Sequence, residues 1–109
     1  MSLAGRKFVY LYENGLEFRT QFPDADHVKW ECVAGSEKGK TGEGPARIIS
    51  LGGNRHFLNW VEADGLVVTQ VTDLGEGAVV TSLVFPRGFD GEGKVESVVI
   101  RGTVVEAGG

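Results

Sequence analysis

Short segments rich in Val, Ile, Phe, Tyr and Thr alternate with glycine-bearing turns along the whole chain. Eight stand out: Arg6–Tyr12, Leu16–Phe22, His27–Ala34, Ala46–Leu51, Arg55–Val61, Leu66–Leu74, Ala78–Phe85 and Val95–Glu106. Each has the length of a β-strand. None sustains the i, i+3, i+4 apolar spacing of an amphipathic helix. The connections are short. Glu13-Asn14-Gly15 is a hairpin signal, because Asn-Gly tolerates positive φ at both turn positions. Gly52-Gly53-Asn54, Ala63-Asp64-Gly65 and Gly75-Glu76-Gly77 have the same character, as do the glycines at 88, 91 and 93. Gly35–Gly44 reads as a longer, mobile loop.

Strands joined by hairpins make a meander, and closing it removes the exposed edges of a sheet. The pattern therefore predicts an all-β fold, an eight-stranded antiparallel up-and-down barrel built from residues 1–109 as one domain. A barrel of that size has room for its own side chains or one small ligand in a central cavity. A two-sheet sandwich is the alternative. Parity sorts the faces. Tyr10 and Tyr12 share a side with Phe8, and Phe18 with Leu16 and Phe22. Trp30 goes with Val28 and Cys32, Trp60 with Leu58 and Glu62, and Phe85 with Val79, Thr81 and Leu83. The inward face is thus heavy in aromatic side chains and carries one carboxylate, Glu62. Val9, Leu11, Val67 and Val71 fall on the outside, an apolar strip that a homodimer would cover.

Composition narrows the function. Eleven basic and fifteen acidic residues give a net charge of −4, against the basic face that nucleic-acid binding needs. No apolar run approaches the length of a membrane helix. The first residues, Met1-Ser2-Leu3-Ala4-Gly5-Arg6-Lys7, lack the apolar core of a secretion signal, so a cytoplasmic location is the expectation. Cys32 is the only cysteine, which excludes an internal disulfide and every zinc motif built on cysteines.

Glu62 is the most informative position. A carboxylate facing an apolar lumen has its charged form disfavoured, which is how a Glu becomes a proton donor or acceptor near neutral pH. A wetted position beside the Ala63-Asp64-Gly65 turn is the plainer reading. Tyr10 and Tyr12 could donate two phenols to one carboxylate or carbonyl, or serve as core residues. Lys40 could fold over the barrel mouth to pair with an anion, or remain a solvated charge. Gly39-Lys40-Thr41 is not a phosphate loop, since the leading glycine is misplaced and no helix follows. His27 and His56 form no recognisable metal-ligand set, and no metal or cofactor is expected. Cys32 reads as a small packed hydrophobe.

The segment from Phe8 to Phe18, Phe-Val-Tyr-Leu-Tyr-Glu-Asn-Gly-Leu-Glu-Phe, resembles the opening hairpin of the bacterial phenolic acid decarboxylases, Tyr-x-Tyr-(Glu/Asp)-Asn-Gly-Trp-Glu-Tyr. Leu58–Gly65 resembles their Ser-Trp-x-Glu-Pro-x-Gly element, and Leu83-Val84-Phe85-Pro86-Arg87 their Phe-Phe-Pro-Lys element. The same patterns occur in the MoaF-like proteins, relatives in the calycin (lipocalin-like) barrel superfamily, and the resemblance runs from about Gly5 to Ile100. It implies an eight-stranded calycin-type barrel with a central cavity. In the decarboxylases the Tyr pair, here Tyr10 and Tyr12, and a catalytic Glu, here Glu62, orient a hydroxycinnamic acid and move a proton without a cofactor. The departures put the MoaF-like side closer. Phe18 stands where the decarboxylases have a third Tyr, Leu16 where they have Trp, and Lys40 near their Arg, which a Lys does not replace.

Three functions follow as expectations. The first is a barrel holding a small aromatic or amphipathic molecule, such as a carboxylic acid. Phe18, Trp30, Trp60, Val68, Leu83 and Phe85 would line it, and Tyr10, Tyr12, Lys40 and Glu62 would meet the polar end. The second is a cofactor-free lyase in which Glu62, Tyr10 and Tyr12 are catalytic. The third is a filled barrel that acts through its surface.

Overall fold

The computed structural model describes residues 2–86 and 96–107. Arg87, the glycines at 88, 91 and 93, and Val95 lie outside the described residues. Among the described residues nine strands form one sheet: β1 (Lys7–Tyr12), β2 (Glu17–Gln21), β3 (His27–Ala34), β4 (Thr41–Pro45), β5 (Arg47–Gly52), β6 (Arg55–Val61), β7 (Val67–Asp73), β8 (Ala78–Phe85) and β9 (Glu96–Glu106). Their spatial order is β4-β3-β2-β1-β9-β8-β7-β6-β5. Every neighbouring pair is antiparallel. The two strands at the ends of that order, β4 and β5, are consecutive in the chain and separated only by Ala46. Residues 41–52 thus run as one bent path whose first half pairs with β3 and second half with β6. The sheet returns on itself as a nearly closed barrel.

The pattern predicts eight strands and the structure has nine, because β4 lies where a mobile loop is expected. Thr-Gly-Glu-Gly-Pro has almost no strand propensity of its own. Pairing imposes the extended state: Lys29 lies opposite Glu43 and Trp30 opposite Gly42. Pro45 ends the strand, having no N–H to give. The next N–H, that of Ala46, turns aside to the Asp26 carbonyl at 2.7 Å. That diversion separates β4 from β5.

The hairpin at Asn14-Gly15 also differs from the expected turn. Only Gly15 has positive φ, at 88°. The Gly15 N–H donates to the Tyr12 carbonyl and the Tyr12 N–H to the Leu16 carbonyl. The Leu16 N–H donates to Asn14 Oδ1. This is a three-residue loop with glycine in the left-handed position. The β6–β7 connection repeats it bond for bond. The Gly65 N–H donates to the Glu62 carbonyl, the Glu62 N–H to the Leu66 carbonyl, and the Leu66 N–H to Asp64 Oδ1. Gly65 has φ 92°. Tyr12 and Glu62 therefore occupy equivalent positions at the bases of two matching hairpins.

Both hairpins stand at the same end of the barrel, since all ladders are antiparallel. The opposite end is closed. Leu3 is carried on a turn whose Gly5 N–H reaches the Phe22 carbonyl at 2.7 Å. Leu3, Phe8, Phe22 and Val28 are all buried there to within 2%. Phe8 packs edge-on to Phe22 at 5.9 Å between centroids. Burying a side chain of this kind stabilises the fold by about 1.5–3 kcal/mol. Arg6 spans the termini, holding Glu106 through two hydrogen bonds of 2.8 Å and lying over the Phe8 ring.

Candidate functional site

Between the closed end and the two hairpins lies a layer of buried polar groups. Tyr12 Oη and Thr81 Oγ1 are 2.6 Å apart. The Gln70 side-chain amide donates to both, at 3.1 Å each. The Thr72 hydroxyl donates to Gln70 Oε1, and Tyr10 Oη lies 3.4 Å from Thr72 Oγ1. All five side chains are buried. They are inward positions of β1, β7 and β8, so parity turns them all toward the interior, where these bonds join them. Burial pushes the Tyr10 phenol well above the usual tyrosine range and raises that of Tyr12, with the hydrogen bonds from Thr72, Thr81 and Gln70 opposing it. The hydroxyls of Tyr10 and Tyr12 are thus bonded to this network and not to Glu62. Gln70 and Thr72 play no part in the expectations from sequence. Their period-2 placement beside Val68 is the signal that marks them as inward.

Beyond this layer, at the open end, stands Glu62. Its Oε1 accepts the indole N–H of Trp30 at 2.6 Å and that of Trp60 at 2.8 Å. Trp60 is two residues earlier and reaches Glu62 along its own strand direction. Trp30 comes from β3, across the seam that β4 and β5 bridge. Indole nitrogen can only donate, so Oε1 acts as acceptor to both. Among the described residues no hydrogen bond reaches Oε2. A cradle of glycine holds Trp30 in place. Gly42 lies opposite it in the ladder, and a Cβ on Gly42 would stand 2.6 Å from the indole ring. Phe18 packs edge-on against Trp30 at 5.6 Å and against Tyr12 at 5.9 Å.

Trp60 and Val68 are buried at this level, whereas Phe18, Trp30, Leu66, Leu83, Phe85 and Glu62 stay partly exposed. Cys32 is fully buried and donates its thiol hydrogen to the Ala34 carbonyl at 3.2 Å. Lys40, on the loop before β4, is 66% exposed and pairs with Glu37. The Glu37 carboxylate, and more weakly Asp64 across the mouth, hold its ammonium above the usual lysine range. His27 is exposed, with Nδ1 2.8 Å from Asp24 Oδ1, and His56 is buried in β6. No group of three metal-ligating side chains occurs among the described residues.

A separate groove of about 620 Å³ crosses the outer face of β1–β4, between Lys7, Arg19, Lys29, Glu31 and Glu43. Five charged side chains of both signs stand around it, alongside Phe8, Val9 and Trp30, whereas a small-molecule site usually has only a few convergent polar groups. The open end of the barrel has the better chemistry.

Comparison with known proteins agrees with this architecture. The sequence model of the MoaF-like family matches residues 4–101. No curated protein matches the chain. Among solved structures, the barrel is similar to "Crystal Structure of a putative beta-lactamase from Burkholderia vietnamiensis", with a TM-score of 0.82 at 20% sequence identity, over 96% of this chain and 95% of that one. At that identity the likeness concerns the fold.

Proposed function

The chain belongs to the MoaF-like family, and on that footing we propose that its barrel binds a small aromatic or amphipathic molecule at the open end. One observation carries the reading. The two ends of the barrel are finished differently: Leu3 and Phe22 seal one, while at the other Phe18, Trp30, Leu66 and Leu83 remain partly exposed around a half-buried carboxylate. Apolar walls with few convergent polar groups are the usual form of a ligand site.

Glu62 sets the polar end of the ligand. Oε1 is taken by the two indoles, so Oε2 is the oxygen open to a ligand's donor. A phenol, an amine or the O–H of a carboxylic acid meets that need. Fixed by Trp30 and Trp60, the carboxyl group is held in one orientation before the ligand arrives, which reduces the ordering cost of binding.

The test is a titration of the protein with p-coumaric, ferulic and caffeic acids and their amine analogues. Fluorescence of Trp30 and Trp60, the only tryptophans, reports binding, and cinnamate absorbance reports turnover in the same tube. Saturable quenching that Glu62→Ala weakens supports the proposal. No quenching with any member of the panel contradicts it. Loss of cinnamate absorbance that vanishes in Glu62→Gln would replace it with a lyase using Glu62 for proton transfer.

A further inference from the structure

At the open end a carboxylate and an apolar surface meet in a fixed order. The ladders set Trp60 opposite Val68, Val68 opposite Leu83 and Leu83 opposite Val98. Directly paired residues share a face, so the four make one inward apolar row. It spans three strand spacings of about 4.8 Å each. Burial falls along it: Trp60 and Val68 are 9% and 5% exposed, Leu83 is half-buried and Val98 is 45% exposed. Leu66, two residues before Val68, and Phe85, two residues after Leu83, widen the row toward the rim. Glu62 stands at the Trp60 end, its N–H bonded to the Leu66 carbonyl.

No opposite charge pairs with Glu62 among the described residues. The ion pairs there are Arg6 with Glu106, His27 with Asp24 and Lys40 with Glu37. The two partners of Glu62 are neutral indoles, and both bond to Oε1. The rim around it is acidic. Glu13, Glu37, Asp64 and Glu96, the last opposite Phe85, outnumber Lys38 and Lys40 there, and Lys40 is engaged with Glu37. A rim of one sign draws in ligands of the other.

We propose that the ligand is an organic cation, an aryl-alkyl amine in its protonated form. This rests on the reading of the open end as a ligand site and narrows it to one class. The ammonium donates to Glu62 Oε2, and the apolar body lies along Leu66, Leu83 and Val98. A charge-assisted hydrogen bond is roughly twice as strong as a neutral one, so an amine gains more at Oε2 than a phenol or an alcohol. A carboxylic acid is ionised at neutral pH and meets Glu62 as a like charge.

Calorimetric titration near neutral pH with phenethylamine, phenethyl alcohol and hydrocinnamic acid separates the charge from the site. The three share a phenylethyl body and carry a positive, no and a negative charge. Quenching of Trp30 and Trp60 shows that the open end is occupied. The amine is expected to bind about tenfold tighter than the alcohol, and the acid weakest. Glu62→Gln keeps a carbonyl oxygen for the indoles and puts an amide N–H where Oε2 was. The ranking is then expected to reverse, with the acid tightest. An alcohol or acid that quenches and binds the wild-type chain as tightly as the amine overturns the cation and leaves the ligand site standing. An amine preference that survives in Glu62→Gln also overturns the cation at Glu62. Binding of none of the three overturns the ligand site, and the cation with it. The wild-type ranking decides the question even where Glu62→Gln fails to fold.

Discussion

The carboxylate of Glu62 accepts the indole N–H of Trp30 at 2.6 Å, across a seam where β3 and β6 share no ladder. The barrel wall is closed there by the bent path of β4 and β5 and, inside it, by this side-chain bond. With the bond from Trp60, the arrangement ties the open end together and aims a carboxyl group at it.

Removing that carboxylate leaves two indole N–H groups without their acceptor. Glu62→Ala is expected to destabilise the fold by about 2 kcal/mol, because a stranded buried donor costs about 1–3 kcal/mol and Trp30 retains some access to water. Glu62→Gln keeps a carbonyl acceptor and is expected to lose less than half as much. Urea denaturation of the three proteins checks the order.

Gly42→Ala acts on the same bond from the other side. The added Cβ would meet the Trp30 indole at 2.6 Å, and overpacking of this kind costs about 1–3 kcal/mol. In a Trp30→Phe background the clash is relieved, so the two changes are expected to be less than additive. A double-mutant cycle measured by thermal denaturation reads the coupling.

The buried tyrosines are unequal. Tyr12 exchanges short bonds with Thr81 and Gln70, whereas Tyr10 has one long contact to Thr72. Tyr12→Phe removes one hydrogen-bond partner from each of Thr81 and Gln70, which keep their bond to each other, and is expected to cost about 1–2 kcal/mol, with Tyr10→Phe below about 1 kcal/mol. Equal losses on denaturation would contradict this ranking.

The pH dependence has a definite sign. Both phenols have folded-state values raised above the unfolded value of about 10, chiefly by burial. A raised value means that stability is fully present below the unfolded value and is lost as pH rises beyond it. Stability is expected to fall above about pH 10, and tyrosinate absorbance to appear together with unfolding. On the acid side, Arg6 holds Glu106 below the usual carboxylate range, so their exposed pair weakens as pH falls through that range. Absorbance and circular dichroism followed over one pH titration check both limbs.

Much of this was legible in the residues themselves. Alternation marked Tyr10, Tyr12, Trp30 and Trp60 as inward, and the spacing of Trp60 and Glu62 placed the carboxylate beside an indole. Strand β4 was not legible, because Thr-Gly-Glu-Gly-Pro is extended only through its pairing with β3. The contact of Trp30 with Glu62 was not legible either. It joins residues 32 apart, and only closure of the barrel brings their strands together. The twin hairpins at Asn14-Gly15 and Asp64-Gly65 share a visible turn signal, but their identical bonding depends on backbone geometry.

The most direct measurement is the indole region of a proton–nitrogen correlation spectrum, where Trp30 and Trp60 give one N–H signal each. Two donors to one carboxylate predict that both signals lie downfield in the free protein and lose that shift in Glu62→Ala. Titration with a ligand that quenches the fluorescence is predicted to move both together. A ligand that binds while both indole signals stay in place would contradict a site at Glu62.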